Sequence, residues 1–466
     1  MTETRTYKEP SILNILSYSS SGFWSMFAWS VFGSYVFFFY EVAIGLNATY
    51  IALAMIIFTL WDAIDDPLIG FLTDRKFKFT KKIGKRFPWV VIGIIPASFV
   101  FILLFMPPPT IDPATEPLVL FGWIVFTTCL FDTLSTLCFV NVNSIFPDKF
   151  RTERARRRAQ GWGTPLSIIA LPFASIIPPM MITFENPATY IPMAWLVVGI
   201  LITVGILFIP GMYENKELKA RYYISEVKQE GFIHALKSTL TQKSFVFYII
   251  LFFGFQVVTG SLTASIPYAV KIVIGGPEGE AEFNTILLFA FFLQGAIIGS
   301  IIWVFLIKRI KNNKKSAVIG GVTLTLGTLL STFYIGIWDS LIYISILGLT
   351  MGNFWALMTI YFADVLDERV VLTKSDVRGP TVGVSSFFSR LSRAVQIGVF
   401  AIVHLATGFV EGQTVQTELA KLGVRLHMSV IPAIILAICT FLYWKYYPIT
   451  PEKYMENRMK LKELGY

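Results

Sequence analysis

The ten residues Trp61–Gly70 read WDAIDDPLIG, and the apolar run YIALAMIIFTL leads into them. On a helix, Asp62, Asp65 and Asp66 stand at i, i+3 and i+4 and share one face. Pro67 removes a backbone donor and leaves a carbonyl free at the next turn. A single charge in mid-membrane costs roughly 2.5–3.5 kcal/mol on insertion scales. Three carboxylates are therefore expected to face a protein cavity, beside a positive partner or protons. The other reading places them in water at a helix end. Against it, LIGFLT carries the helix on for about two turns before the basic loop begins. A second apolar helix, CLFDTLSTLCF, spaces Asp132 and Thr136 at i, i+4. Carboxylates with a hydroxyl make an oxygen donor set for a hard cation such as Na⁺. Crowded carboxylates in a low dielectric also hold protons near neutral pH, so H⁺ is an equally natural ligand. Asp62, Asp65, Asp66, Asp132 and Thr136 are the candidate cation-binding residues.

The elements that must position them belong to a chain of 466 residues, 55% hydrophobic and only 15% charged. So little polar surface cannot cover a soluble domain, and the class is an all-α, multi-pass membrane protein. Twelve helices are predicted, at about 12–42, 47–73, 87–107, 117–146, 160–183, 190–212, 244–272, 283–307, 316–337, 340–366, 380–409 and 425–447. The first apolar run is too long for a signal segment, and no A-x-A site follows it. With the N-terminus in the cytoplasm, all but five of the 39 Lys and Arg fall in cytoplasmic segments. The five are Lys271, Lys421 and Arg425 in outer loops, and Arg390 and Arg393 inside an apolar helix. This positive-inside pattern predicts a cell-membrane protein with both termini cytoplasmic. It also accounts for the net charge of +9 without a nucleic-acid partner. Cys129, Cys138 and Cys439 lie in apolar runs at spacings that suit no zinc site.

The longest polar loop divides the chain into an N-terminal six-helix bundle (1–213), a central cytoplasmic loop (214–243) and a C-terminal six-helix bundle with a short tail (244–466). Helix 4 ends NSIFPD before a loop reaching RRRAQG, and helix 10 ends IYFADVLDE before one reaching DVRGP. An acid, a basic stretch and then a glycine recur at equivalent places. Paired six-helix repeats of this kind are the architecture of the major facilitator superfamily.

WDAIDDPLIGFLTDR followed by GKRFPWVVIG resembles the signature of the glycoside–pentoside–hexuronide:cation symporters, the melibiose-permease-like branch of that superfamily. The resemblance covers the whole chain in helix number and spacing. In the melibiose permeases the helix-2 segment reads W-D-A-I-N-D-P, and its acids and Asn serve the cation site. Carried over, these are Asp62, Asp66 and Asp65, with Asp65 standing where the sugar transporters have Asn. Counting back from NSIFP, Thr136 falls on a helix-4 threonine of their cation site and Asp132 on a glycine. FWALMTIYFADVLD matches the family's F-W-x-L-x-x-x-x-x-A-D-x-x-D, which places Trp355 at a tryptophan near the sugar. SFFSRLSRAV resembles F-x-x-K-L-G-x-A and puts Arg390 at a lysine linking the cation and sugar sites. Arginine does not release its proton, so Arg390 is a fixed counter-charge; Arg393 lies one turn further on the same face. Ser25 stands where the permeases have a sugar-gripping Asp, and Phe139 where they have a second. Their helix-5 Arg falls near Trp162 or Thr164. The resemblance therefore implies a substrate site including Trp355, Arg390, Ser25 and Phe139, more apolar than in the sugar permeases.

GFLTDR, with Gly70, Asp74 and Arg75, fits the facilitator loop between helices 2 and 3. Its ion pairs close the cytoplasmic side, and Asp364 and Asp367 are the matching acids, with Arg378 and the Arg154–Arg158 run as partners. Glu41 is expected to meet water at the outer end of helix 1, and His404 to be packing. The sequon at Asn47 lies too near the membrane for use. No phosphate loop, catalytic triad or Cys/His cluster appears, so neither an ATP-driven pump nor an enzyme is expected, and no cofactor. The expectation is a monomeric, cation-coupled symporter driven by Na⁺ or H⁺, moving a small organic solute such as a sugar, glycoside or uronate by alternating access. A lysolipid or other amphiphile is the alternative cargo. A non-transporting receptor is the reading from another class.

Overall fold

The computed structural model describes residues 9–75, 77, 80–215, 218–219, 232–277, 279–374, 378–413 and 415–463. A bilayer core supplies no water for backbone groups, so a spanning chain without a closed barrel must be helical. Among the described residues, twelve helices are long and apolar enough to cross a membrane. They are α1 Ile12–Ala43, α2 Ala48–Thr73, α3 Phe87–Phe105, α4 Pro117–Phe146, α5 Arg154–Met181 and α6 Pro187–Met212. α7 Lys243–Ile274, α8 Glu280–Ile310, α9 Asn313–Phe333, α10 Ile337–Thr373, α11 Thr381–Thr407 and α12 Glu418–Tyr446 complete the set. Large apolar side chains stay exposed along them, among them Ile64, Ile301, Phe305, Ile434 and Phe441. Lipid tails are the natural cover for such a belt.

The helices lie where periodicity puts them, and the boundaries that shift do so because of caps. The helix carrying α5 starts at Glu153, not 160, since Thr152 Oγ1 accepts from the Ala155 amide at 3.1 Å. The basic run Arg154–Arg158 is thus the first turns of a helix. α10 starts at Ile337 because Asp339 accepts from the amides of Ile335 at 2.6 Å and Gly336 at 2.8 Å. It runs on to Thr373, where Lys374 turns left-handed at φ 53°. α12 gains its first two turns from Thr417, whose hydroxyl accepts from the Ala420 amide at 3.2 Å.

By packing, the chain forms two compact units. The first holds Met1–Phe32 and Leu60–Lys228, and the second Gly33–Thr59 and Gln229–Tyr466. The C-terminal end of α1, the N-terminal half of α2 and the turn between them therefore belong to the second unit.

In the first unit, one carboxylate organises the loop before α3. Glu214 is fully buried and accepts from the amides of Lys85 at 2.8 Å, Arg86 at 2.5 Å and Phe87 at 3.1 Å. A negative group there satisfies orphan amides and meets the positive end of the helix dipole. Gly84 makes room for it at φ +123°, where an added Cβ would lie 2.5 Å from Glu214 Oε2. Arg86 reaches Asn141 Oδ1 at 3.2 Å, and Lys149 donates to the Gly211 carbonyl. In the second unit, α8 and α10 meet along a glycine seam. A Cβ on Gly299 would lie 2.1 Å from the Leu349 carbonyl oxygen, and one on Gly348 2.2 Å from that of Phe292. Helix backbones in membranes approach this closely only where side chains are absent.

Burial pushes the Lys149 ammonium down from 10.5 to about 8, with Glu214 opposing the shift. Between those two values the unfolded chain holds more protons at this site than the folded chain, so stability rises with pH across that window. Thermal unfolding in detergent should show the midpoint of the native chain climbing relative to Lys149→Met from pH 8 to 10, with a constant difference below pH 8.

Candidate cation and substrate site

The C-terminal half of α2 and α4 lie side by side in the first unit. The Trp61 indole donates to Thr133 Oγ1 at 2.8 Å, and an added Cβ on Gly70 would sit 3.9 Å from Val140 Cγ1. This register sets Asp62, Asp65 and Asp66 alongside the segment from Asp132 to Thr136. Asp65 and Asp132 are each 1% exposed, Asp62 and Thr136 are buried, and Asp66 is half-buried. Asp65 and Asp132 both lie within electrostatic range of the Cys129 thiol. Asp65 and Asp132 are thus brought near one another, with Asp62, Asp66 and Thr136 on the same two helices. Ser135 joins them unforeseen: its hydroxyl is buried and has no hydrogen-bond partner among the described residues. A serine in an apolar helix gives no signal in sequence, because it so often bonds its own backbone. No three His, Cys, Asp or Glu side chains among the described residues converge enough to hold a metal ion. The acids form a row along two helices, suited to a proton or a monovalent ion shared with hydroxyls.

An aromatic wall stands next to this row. Trp24 is fully buried, donates to Ser98 Oγ at 3.2 Å, and meets the Phe139 ring at 5.5 Å. Phe131 lies 6.3 Å from Trp24 and 5.3 Å from Trp29. Ser25 and Phe139 are both half-buried beside it. In the second unit, Trp355 is half-buried on α10 with Phe292 edge-on at 5.9 Å. Arg390 and Arg393 are half-buried on α11. Gln256 of α7 donates to Ser389 Oγ at 3.0 Å and so fixes α11 next to Arg390.

The expected gate residues divide. Gly70 is half-buried, and Arg75 is exposed with its guanidinium 4.8 Å above the Phe71 ring. The side chains of Asp74 and Arg378 lie outside the described residues. Asp364 is buried and accepts from Asn313 Nδ2 at 2.7 Å, and Asp367 lies 3.9 Å from Arg458 of the tail helix Pro451–Glu463. Both acids thus have partners that the sequence did not point to. Beside them Glu368 accepts from Ser244 and from Gln242 at 3.1 Å, which ties the end of α10 to the start of α7.

Glu41 overturns its sequence reading. Far from meeting water, it is fully buried and contacts His404 Nδ1 at 2.7 Å, and it also accepts from the Tyr268 hydroxyl. His404 is therefore more than packing. Asn47, the sequon residue, donates to Glu411 Oε1 at 2.8 Å.

A family model described as MFS/sugar transport protein matches residues 17–451. The chain belongs to that family. Its members are multi-pass membrane transporters of the major facilitator superfamily, and the twelve helices fit that fold. Sodium-dependent lysophosphatidylcholine symporter 1-A of Danio rerio is 22% identical over 462 residues, 90% of this chain and 82% of that one. The uncharacterized symporter YjmB of Bacillus subtilis is 22% identical over 461 residues, 97% and 95% of the two chains. Among solved structures, a D-xylose–proton symporter superposes with a TM-score of 0.64 at 13% identity, over 93% of this chain and 97% of the other. The nucleoside transporter NupG gives a TM-score of 0.61 at 12% identity, over 94% and 100% of the two chains. At such identities the structural likeness is one of fold.

If Trp61 and Thr133 hold the α2–α4 register, Thr133→Val should lower stability by about 0.5–1.5 kcal/mol, the usual net worth of one hydrogen bond. Trp61→Phe should cost a similar amount, and the double variant no more than the larger single change. Thermal unfolding of the four proteins tests this, and simple additivity would show that the two residues act separately.

Proposed function

We propose that this protein is a cation-coupled symporter of a small organic solute, working by alternating access of two six-helix halves, 1–213 and 244–466, in the cell membrane with both termini cytoplasmic. The observation that carries this reading is the buried acid row of Asp62, Asp65 and Asp132, with Thr136 and half-buried Asp66, in a chain of a transporter family. Acids buried at membrane depth are expensive and mark ion or proton pathways. Relatives named sodium-dependent symporters support cation coupling. Binding of the cation neutralises part of the row. The neutralised row and the bound solute then favour the same occluded state, and this shared preference is the coupling free energy. Arg390 serves as a fixed counter-charge and Trp355 as an aromatic platform for the solute. Gly70, Asp74, Arg75, Asp364, Asp367 and Arg378 serve the cytoplasmic gate.

A sugar, glycoside or uronate is the first cargo class, in keeping with the family description. A lysolipid or similar amphiphile is the second. Two observations favour it: relatives named lysophosphatidylcholine symporters, and Ser25 and Phe139 beside an aromatic wall where the sugar permeases carry acids. Thermal shift of the purified protein against both classes, with and without Na⁺, separates them. A midpoint raised by a lysolipid and by no sugar would decide for the amphiphile.

Asp66→Asn should fold normally and lose uphill uptake while keeping part of its downhill flux. Full concentrative uptake by the Asp62→Asn, Asp66→Asn double variant would sink the cation assignment. Asp65 adds a carboxylate where sugar permeases have Asn, and like charges so close do not all ionise. Transport should therefore run on H⁺, or on Na⁺ with strong inhibition at low pH, and Asp65→Asn should shift preference towards Na⁺ or Li⁺. Initial uptake in vesicles under imposed pH or Na⁺ gradients measures this, and identical ion dependence in the two proteins removes Asp65 from the site.

A further inference from the structure

A second buried titratable cluster lies entirely within the second compact unit, on other helices than the aspartate row. Glu41, near the end of α1, is fully buried, and His404 of α11 is 1% exposed. The carboxylate faces His404 Nδ1 at 2.7 Å through Oε1 and takes the Tyr268 hydroxyl of α7 on Oε2. His427 of α12 lies with its ring 5.0 Å from that of His404 and shares a hydrogen bond of 2.9 Å with Ser265 through Nδ1. Phe409 stacks on the His404 ring at 4.3 Å. Neither His404 Nε2 nor His427 Nε2 has a hydrogen-bond partner among the described residues. The backbone is unusual here as well. Wide π-helical turns at Phe39–Ala43, Ala269–Ile274 and Leu426–Val430 carry Glu41, adjoin Tyr268 and carry His427. Such turns recur at functional sites.

A lone carboxylate is costly in such a dry place, and so is a lone imidazolium. The pair is neutral when it holds one proton between them, whichever partner carries it. The neighbouring His427 is fully buried as well, and a second charge in this dry place, beside His404, would be costly. A carboxyl and an imidazole in water have both given up their protons above about pH 6.5, so a pair parted into water holds none. Gly412 also donates its amide to the Glu41 carbonyl at 3.0 Å, and Asn47 binds Glu411, so this end of α1 is fastened at several points.

We propose that Glu41 and His404 form a proton-binding latch on the outer face, which takes up one proton each time the end of α1 docks against α7, α11 and α12. The proposal rests on the membrane orientation and alternating access given above, and it concerns a proton site separate from the α2–α4 acids. Low outer pH holds the latch shut and high pH releases it. A one-proton difference shifts the equilibrium by up to tenfold per pH unit.

The test uses accessibility, not transport, so it does not depend on the cargo or on the aspartate row. Ser34 lies on α1 about two turns from Glu41 and is buried. Ser34→Cys in right-side-out vesicles is labelled with an impermeant maleimide from outside, and its rate is divided by that of Val415→Cys, which is 88% exposed. The ratio should rise at least threefold per unit from pH 6.5 to 8.5 and should be flat in the Glu41→Gln background. Tyr268→Phe, which leaves the pair in place, should raise the ratio at every pH and keep the slope. A flat ratio in the otherwise native chain overturns the latch without need of a further variant. An undiminished slope in Glu41→Gln, or a lost slope in Tyr268→Phe, overturns the assignment to the pair. No labelling of Val415→Cys from outside overturns the orientation, and the proposal with it.

Discussion

A carboxylate withdrawn from water must be given a partner, and inside a bilayer that partner must come from the protein itself. Much of the polar architecture follows from this. Glu214 receives three backbone amides and so fixes the start of α3. Glu368 receives Ser244 and Gln242 and so fixes the end of α10 against the start of α7. Asp364 takes the Asn313 amide, and Glu41 takes His404 and Tyr268. In each case the acid joins helices distant in sequence. The fold is cross-braced at its acids, while the apolar surface between them is left to lipid.

The aspartates of α2 and α4 differ from these braces. Their interface also holds contacts that need no acid, Trp61 with Thr133 and Gly70 near Val140. The second unit has no such row among its described residues where α8 meets α10; bare backbones lie against each other there.

Most of the fold was legible because lipid enforces a simple code. Long apolar runs, the Lys and Arg asymmetry and the polar centre of the chain gave twelve helices and their order. The shared face of the helix-2 acids was legible because i, i+3, i+4 spacing fixes it, and the structure buries Asp62 and Asp65 there. What stayed hidden depended on tertiary partners. Glu41 looked like a helix end in water because His404 is 363 residues away. The contacts of Asp364 with Asn313 and of Asp367 with Arg458 were not legible, because these partners come from elements whose proximity no local pattern encodes. Helix starts moved at Thr152, Asp339 and Thr417 because a capping side chain outweighs the hydropathy of the residues that follow.

The glycine seam between α8 and α10 also constrains the protein's history. Every residue other than glycine brings a Cβ, and at Gly299 and Gly348 that atom would fall about 2 Å from a carbonyl oxygen of the facing helix. Single substitutions there are closed to drift, since no intermediate fits until both backbones move apart. The α2–α4 interface is built from side chains, and these can be exchanged one at a time. The glycines of the α8–α10 contact should therefore stay constant among related chains, while the side-chain contacts around them change freely.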